Sequence, residues 1–268
     1  VQSNEEAGHD VDVFVYLSRD DAGGIHNHKI IERCRDLSEL HGNDQISESK
    51  LREKIASALN STKSSLKGWF ISNHWHIDDS IGNWRFSQWQ GNDRTARIQQ
   101  YVGWYRAWQM VQDEEVLSRR HYDTIMLQRA DAYWFMPAAP AHTFSKNGIS
   151  YKNCPSQNFM GIYDKIFVVP RAYAHLWLEA VVYIYLDLQL SSSFFNNEMF
   201  LWRLAKGKGL ALCVAAENSL PTIPINPTTV TQPILEDNVG CFLPIHVNEC
   251  RCLTSAQCEF VLDHVCVT

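Results

Sequence analysis

Residues 122–135 read Tyr-Asp-Thr-Ile-Met-Leu-Gln-Arg-Ala-Asp-Ala-Tyr-Trp-Phe, and they constrain the fold more than any other stretch of the chain. A short apolar run, Thr124 to Leu127, ends in one basic residue and one lone acid, Arg129 and Asp131, and aromatic residues follow at once. A buried strand that delivers an arginine and a carboxylate at its end builds a polar site at the edge of a sheet. Ligands of open α/β sheets bind outside the carboxyl ends of the strands. The bland alternative is a surface salt bridge between two strand-end residues.

The rest of the chain supplies a matching alternation. Asp12 to Leu17 is expected as a first buried strand, and Gly68 to Ser72 as a second. His28 to Leu40 and Ser47 to Leu59 have helical composition. Arg94 to Leu117 is a long helix candidate, because Ile98, Tyr101, Val102, Tyr105, Trp108 and Val111 keep roughly helical spacing. Pro137 to Pro140 breaks the strand that follows. Ile149 to Tyr151 is a short extended piece, Ile162 to Val169 a strand stopped by Pro170, and Arg171 to Leu188 a helix. Asn196 or Asn197 caps a helix that Gly207 and Gly209 end, and Leu210 to Ala215 is a last core strand. Strands that alternate with helices favour a mixed, mainly parallel α/β sheet flanked by helices.

Composition decides which classes of function survive. At 45% hydrophobic and 20% charged residues, the chain can bury a full core. A formal net charge of −6 argues against a general nucleic-acid binder. No apolar run reaches the roughly 20 residues that span a bilayer. The chain opens on Val1, so the expectation is a trimmed catalytic region whose targeting segment or membrane anchor has been removed.

Of eight cysteines, five crowd the C-terminal end: Cys241, Cys250, Cys252, Cys258 and Cys266. Their spacing lacks a paired C-x₂-C, which favours disulfides over a zinc knot and places the chain in an oxidising compartment. The sequon Asn60-Ser61-Thr62 agrees with a secretory route. Pro221 to Pro233 carries several prolines and leads into the cysteines. The domain reading is therefore a catalytic domain over residues 1–220 and a Pro-containing arm with a Cys-rich, disulfide-bonded extension over residues 221–268.

Several constellations carry chemistry. Asp131 is suited to a divalent cation, which would neutralise a diphosphate leaving group, and Arg129 to a charge-assisted bond with a phosphate. Arg94 and Arg97 lie three apart and share one helix face, from which they would reach a diphosphate or simply be solvated. Glu198 sits at a helix N-terminus, where the dipole favours its charged form, and Asp164 sits in a strand pattern, where a carboxylate needs a task or a partner. Trp84 and Trp89, in a polar loop, suit an acceptor site, whereas Trp104 and Trp108 suit the core. His74-x-His76, with Asp78 and Asp79, forms a rival constellation: two imidazoles on one side of a strand would bind zinc and make a hydrolase. His26-x-His28 has the same form and reads as solvated.

The segment 122–135 resembles the DxD-type strand of GT-A glycosyltransferases, in which an apolar strand leads into an R-x-D element and aromatic residues. Asp12 to Leu17 is similar to their first strand, whose end receives the nucleotide base. Arg94 to Gln109 resembles the helix that precedes the DxD strand. Asn158 to Arg171 resembles a "GG-x-x-D-x-F" strand on the acceptor side, and Asn197-Glu198 their "N-x-E" element. Together these cover roughly residues 10–215.

The resemblance implies a GT-A-like, Rossmann-like fold. It also implies transfer of a sugar from a nucleotide-diphosphate sugar to a hydroxyl of a glycan or glycoprotein in the Golgi lumen or outside the cell. Tyr16, Leu17, Ser18, Arg94, Arg97, Arg129 and Asp131 would bind the donor, and Asp131 would hold Mn²⁺ or Mg²⁺. Glu198 or Asp164 would be the base that takes the acceptor proton. Trp84, Trp89 and Tyr133 would face the acceptor. Asp131-Ala132-Tyr133 carries one acid where many relatives carry two, so whatever completes the metal or phosphate site must come from elsewhere in the fold. Two other functions are compatible with the sequence: a non-catalytic sugar-binding module on a degenerate transferase fold, and the His74/His76 metal-dependent hydrolase.

Overall fold

The computed structural model describes residues 2–18, 48–60, 62–72, 92–129, 132–134, 136–153, 160–182, 196–216 and 219–224. The chain opens with a short helix, α1 (Gln2–Glu6), and strand β1 (Asp12–Ser18). Helix α2 (Glu48–Leu59) then precedes β2 (Ser65–Ser72), which pairs with β1 in parallel. A parallel pair needs such a crossover, because the chain must return to the same end. Asp12 ties the starts of the strands together: its Oδ1 accepts from the Ser65 hydroxyl at 2.7 Å and its Oδ2 from the Tyr122 hydroxyl at 2.8 Å. Gly68 is there because a Cβ would come within 2.7 Å of Phe14 Cδ1 and 3.1 Å of Met110 Sδ.

Helix α3 (Asn92–Ser118) is long and carries a buried stripe. Tyr101, Trp104, Trp108 and Val111 are all buried, at spacings of three and four that keep them on one face. Each large side chain so buried contributes roughly 2–3 kcal/mol. The next position on that stripe is Glu115, which is only 3% exposed. Its burial is tolerated because Arg171 donates to both of its oxygens at 2.7 Å and Tyr122 N donates at 3.0 Å. The Arg171 guanidinium in turn lies 4.5 Å from the Trp108 ring centroid.

The main sheet follows. Strand β3 (Thr124–Gln128) leads to β4 (Ala132–Trp134), β5 (Ile149–Tyr151) and β6 (Ile166–Pro170). Then come helices α4 (Arg171–Leu178) and α5 (Asn197–Gly207), and strands β7 (Leu212–Val214) and β8 (Thr222–Pro224). The four-stranded order is β3-β6-β5-β7, and β4 pairs separately with β8. All five residues of β6 are buried, as expected of a central strand covered on both faces. Phe167 and Val169 join the larger core with Trp104, Trp177 and Phe200, while Ile166 and Val168 join Phe144, Tyr163 and Leu220. Edge-to-face rings link Tyr101, Trp104, Phe167 and Trp177 at centroid distances of 5.0, 5.7 and 5.1 Å.

Several expectations need correction. The pairing is mixed rather than mainly parallel: among the described residues β1/β2 and β5/β7 are parallel, whereas β3/β6, β5/β6 and β4/β8 are antiparallel. None of the described residues between β5 and β6 is helical, so no crossover turns β6 into a parallel neighbour. That strand begins at Ile166, not Ile162, because Ile162 N donates to Glu198 O at 3.2 Å instead of entering the ladder. Asp164 therefore precedes the strand. The helix after Pro170 ends at Leu178, with helical residues resuming at 180–182.

The end of α5 follows the expected glycine rule. Gly209 has φ +64°, Gly209 N donates to Lys206 O at 3.3 Å and Leu210 N to Ala205 O at 2.8 Å, the bond pair of a Schellman cap. The start of the proline arm is built into the fold: Thr222 is fully buried, β8 pairs with β4, and Lys152 Nζ donates to the Thr222 carbonyl. Cys213, half-buried on β7, has no disulfide partner among the described residues. The other seven cysteines lie outside the described residues, as do the expected helix His28 to Leu40 and the chain beyond residue 224. Asn60 of the sequon is exposed in the turn after α2. Among the described residues no helix is long and apolar enough to cross a membrane.

Candidate functional site

Four polar side chains from four elements meet beyond the C-terminal end of β3. Arg129 follows that strand directly, and its N–H donates to Lys165 O at 2.9 Å, carrying the β3/β6 ladder one step further. That bond places Arg129 opposite the residues that lead into β6. Arg129 Nη1 then reaches Asp164 Oδ2 at 2.8 Å. Gln100, on α3, donates through Nε2 to the same carboxylate oxygen at 3.1 Å, and its Oε1 accepts from Arg129 Nη1 at 2.9 Å. Asn197, the first residue of α5, donates through Nδ2 to Gln100 Oε1 at 3.0 Å and lies 3.4 Å from Asp164 Oδ2.

Local structure positions α5 against this network. Asn196 caps the helix, its Oδ1 accepting from Met199 N at 2.7 Å. Tyr101 on α3 donates its hydroxyl to Asn197 O at 3.3 Å and packs edge-on against Phe200 at 5.0 Å. The segment before Asp164 runs so close to the helix that a Cβ on Gly161 would lie 2.0 Å from the Glu198 carbonyl carbon. Glycine is thus required there, and the approach brings Asp164 and the Asn197-Glu198 turn to one place. Met160, just before it, has φ +66°. A side chain in that left-handed region is strained.

Burial divides the network into an anchor and an accessible end. The Asp164 side chain is 4% exposed and that of Arg129 27%. A carboxylate so deeply buried requires its donors, and Asp164 Oδ2 has three of them. Among the described residues Asn197 Oδ1 is buried with no hydrogen-bond partner. Gln100, Arg129, Asp164, Asn197, Glu198 and Tyr16 all line one open cleft of about 2180 Å³.

Of the residues singled out from sequence, the structure brings together Arg129, Asp164 and Glu198. Tyr16 lines the same cleft, stacked on Phe70 with 5.6 Å between ring centroids and lying 3.1 Å from where a Gly103 Cβ would sit. Leu17 and Ser18 close β1, opposite Ile71 and Ser72. Arg94 and Arg97 lie in the opening turns of α3. Tyr133 pairs with Ile223 in the β4/β8 ladder, a sheet separate from the one that carries β3 and β6. Trp104 and Trp108 are core residues, as expected. Asp131, Trp84, Trp89, His26, His28, His74, His76, Asp78 and Asp79 lie outside the described residues.

Sequence reasoning missed Gln100 and Asn197 as members of the site. Gln100 had a readable signal: it stands four residues before Trp104 and eight before Trp108, a polar side chain on the buried stripe, which demands a buried partner. Among the described residues no group of three or more His, Cys, Asp or Glu is arranged to hold a metal ion. Asp164 is already engaged by a cation and two amides, which fits an anchor better than a metal ligand. In comparisons with family models, curated proteins and solved structures, nothing matches this chain.

Proposed function

We propose that this protein is a GT-A-like glycosyltransferase that moves a sugar from a nucleotide-diphosphate sugar to a hydroxyl of a glycan or glycoprotein. One observation carries the reading. Arg129 and Asp164, read from sequence as a phosphate contact and a candidate base, are 35 residues apart yet form a direct ion pair beyond the end of β3, beside Asn197-Glu198. Convergence at the carboxyl end of a strand is what a ligand site in an α/β fold requires.

The geometry supports a division of labour. Arg129 is partly exposed to the cleft and held in orientation by Asp164, so it is placed to meet a diphosphate. The saturation of Asp164 Oδ2 by donors suits an anchor rather than a proton acceptor. The base role therefore falls to Glu198, in the first turn of α5. Asp131, two residues after Arg129, remains the residue for Mn²⁺ or Mg²⁺, a cation that would offset charge on the leaving diphosphate. Tyr16, Leu17, Ser18, Arg94 and Arg97 complete the donor side in this reading, Trp84, Trp89 and Tyr133 the acceptor side. The secretory pathway, at the Golgi lumen, is the proposed location.

The test is turnover. The protein is incubated with a panel of nucleotide-diphosphate sugars in Mn²⁺ or Mg²⁺, and free nucleotide is followed. We expect release from at least one donor, slowed by Asp131→Ala. If no donor is bound or turned over, and Asp131→Ala changes nothing, the transferase reading fails. Loss of bound zinc and of hydrolysis on changing His76 would instead favour the hydrolase.

A further inference from the structure

We infer that Asn197 accepts a hydrogen bond from a hydroxyl of the transferred sugar, and that Gln100 is the residue that orients it. This rests on the transferase reading above. Arg129 can only donate. Its Nη1 lies 2.9 Å from the Gln100 amide, so that atom of Gln100 is the oxygen. The Gln100 nitrogen is then the atom 3.1 Å from Asp164 Oδ2, which can only accept while ionised. With both ends of Gln100 fixed, the atom of Asn197 that meets Gln100 Oε1 at 3.0 Å and faces Asp164 Oδ2 at 3.4 Å must be its nitrogen. A flipped Asn197 would set its oxygen against a carbonyl and a carboxylate. The charged pair thus dictates which way the amide points.

The consequence is a carbonyl oxygen turned away from the network. Asn197 is 7% exposed, and among the described residues its Oδ1 has no hydrogen-bond partner. Buried acceptors left unpaired are rare and costly. Asn197 is one of the residues lining the cleft that also contains Arg129 and Glu198, and its oxygen lies just beneath that lining. An acceptor calls for a donor and repels an anion, while the Arg129 guanidinium nearby disfavours a cation. A neutral hydroxyl satisfies both conditions. Arg129 and Asn197 share Gln100 as a hydrogen-bond partner, so a phosphate at Arg129 leaves the sugar bonded to it next to Asn197.

The experiment is a cycle between ligand and protein, read by titration calorimetry. The probes are uridine diphosphate glucose, uridine diphosphate galactose and guanosine diphosphate mannose, their mono-deoxy analogues, and the bare nucleotide diphosphates. For the hexose that binds the unaltered protein, we expect one mono-deoxy analogue to bind at least ~10-fold more weakly. Asn197→Ser should bind parent and that analogue alike. Gln100→Met should lose the same discrimination while still binding the nucleotide. Equal losses in the variants and the unaltered protein would overturn the inference. So would a unaltered-protein series in which no deoxy analogue is weaker, a result that needs no variant to fold. If no nucleotide-diphosphate hexose binds at all, the transferase reading falls and takes this inference with it; if hexoses bind but the coupling is absent, only this inference falls.

Discussion

Arg129 Nη1 lies 2.8 Å from Asp164 Oδ2, and the two ends of this pair differ sharply in burial, at 27% and 4% exposure. Removing either partner should therefore have unequal effects. Arg129→Met strands a buried carboxylate with only amide donors and should cost about 3 kcal/mol of stability. Asp164→Asn leaves an arginine that can hydrate from the cleft and should cost about 1 kcal/mol. Urea denaturation of the two variants checks the order, and equal or reversed losses would contradict it.

A second pair is expected to govern acid stability. Burial pushes the Glu115 carboxyl up, but its bonds from Arg171 and Tyr122 N outweigh this and hold its pKa below the ordinary 4.5. A group with a depressed folded pKa contributes stability that is present above 4.5 and is lost as pH falls through the lower folded value. Glu115→Gln should lower stability by about 3 kcal/mol near neutral pH. Its denaturation midpoint should also fall less steeply than that of the unaltered protein as pH is lowered below 4.5. Parallel pH profiles would show that Glu115 is not the titrating group.

The approach to α5 makes opposite predictions for two adjacent residues. Met160 has φ +66°, so Met160→Gly should relieve strain and raise stability by roughly 1 kcal/mol. Gly161→Ala would put a methyl 2.0 Å from the Glu198 backbone and should cost about 3 kcal/mol, with the site disrupted as well. Thermal unfolding of both variants distinguishes this from a loop that merely tolerates change.

The cap of α5 offers a milder probe. Asn196→Ala removes the acceptor of Met199 N and should cost about 1 kcal/mol, whereas Asn196→Ser should be nearly neutral. A neutral alanine variant would mean that the turn is held by Gly161 and Tyr101 alone.

Much of the framework was legible because its signals are local. The stripe of Tyr101, Trp104 and Trp108 announced α3, the proline at 170 marked the end of β6, and Gly209 supplied the left-handed residue that closes α5. Strand direction was not legible, since antiparallel β6 is set by how the chain returns from β5, which no single window of sequence encodes. The site was legible in part. Arg129 stood out as a charge at the end of an apolar run, Asp164 as a carboxylate in a strand pattern and Glu198 as an acid at a helix N-terminus. Asn197 did not, because its neighbour Asn196 offered the same capping chemistry and only the fold assigns one to the cap and the other to the network. Gly161 was hidden for a related reason: a close backbone approach is a tertiary fact, and its one trace in the sequence is the resemblance to a GG-x-x-D-x-F strand, with Met160 in place of the first glycine.

The most direct test of the transferase reading is a crystal structure of the protein soaked with the nucleotide-diphosphate sugar that it turns over. The account expects the diphosphate against Arg129 at the end of β3, with the sugar directed toward Asn197 and Glu198. A nucleotide bound at another face, or a cleft that stays empty at saturating donor, would contradict it.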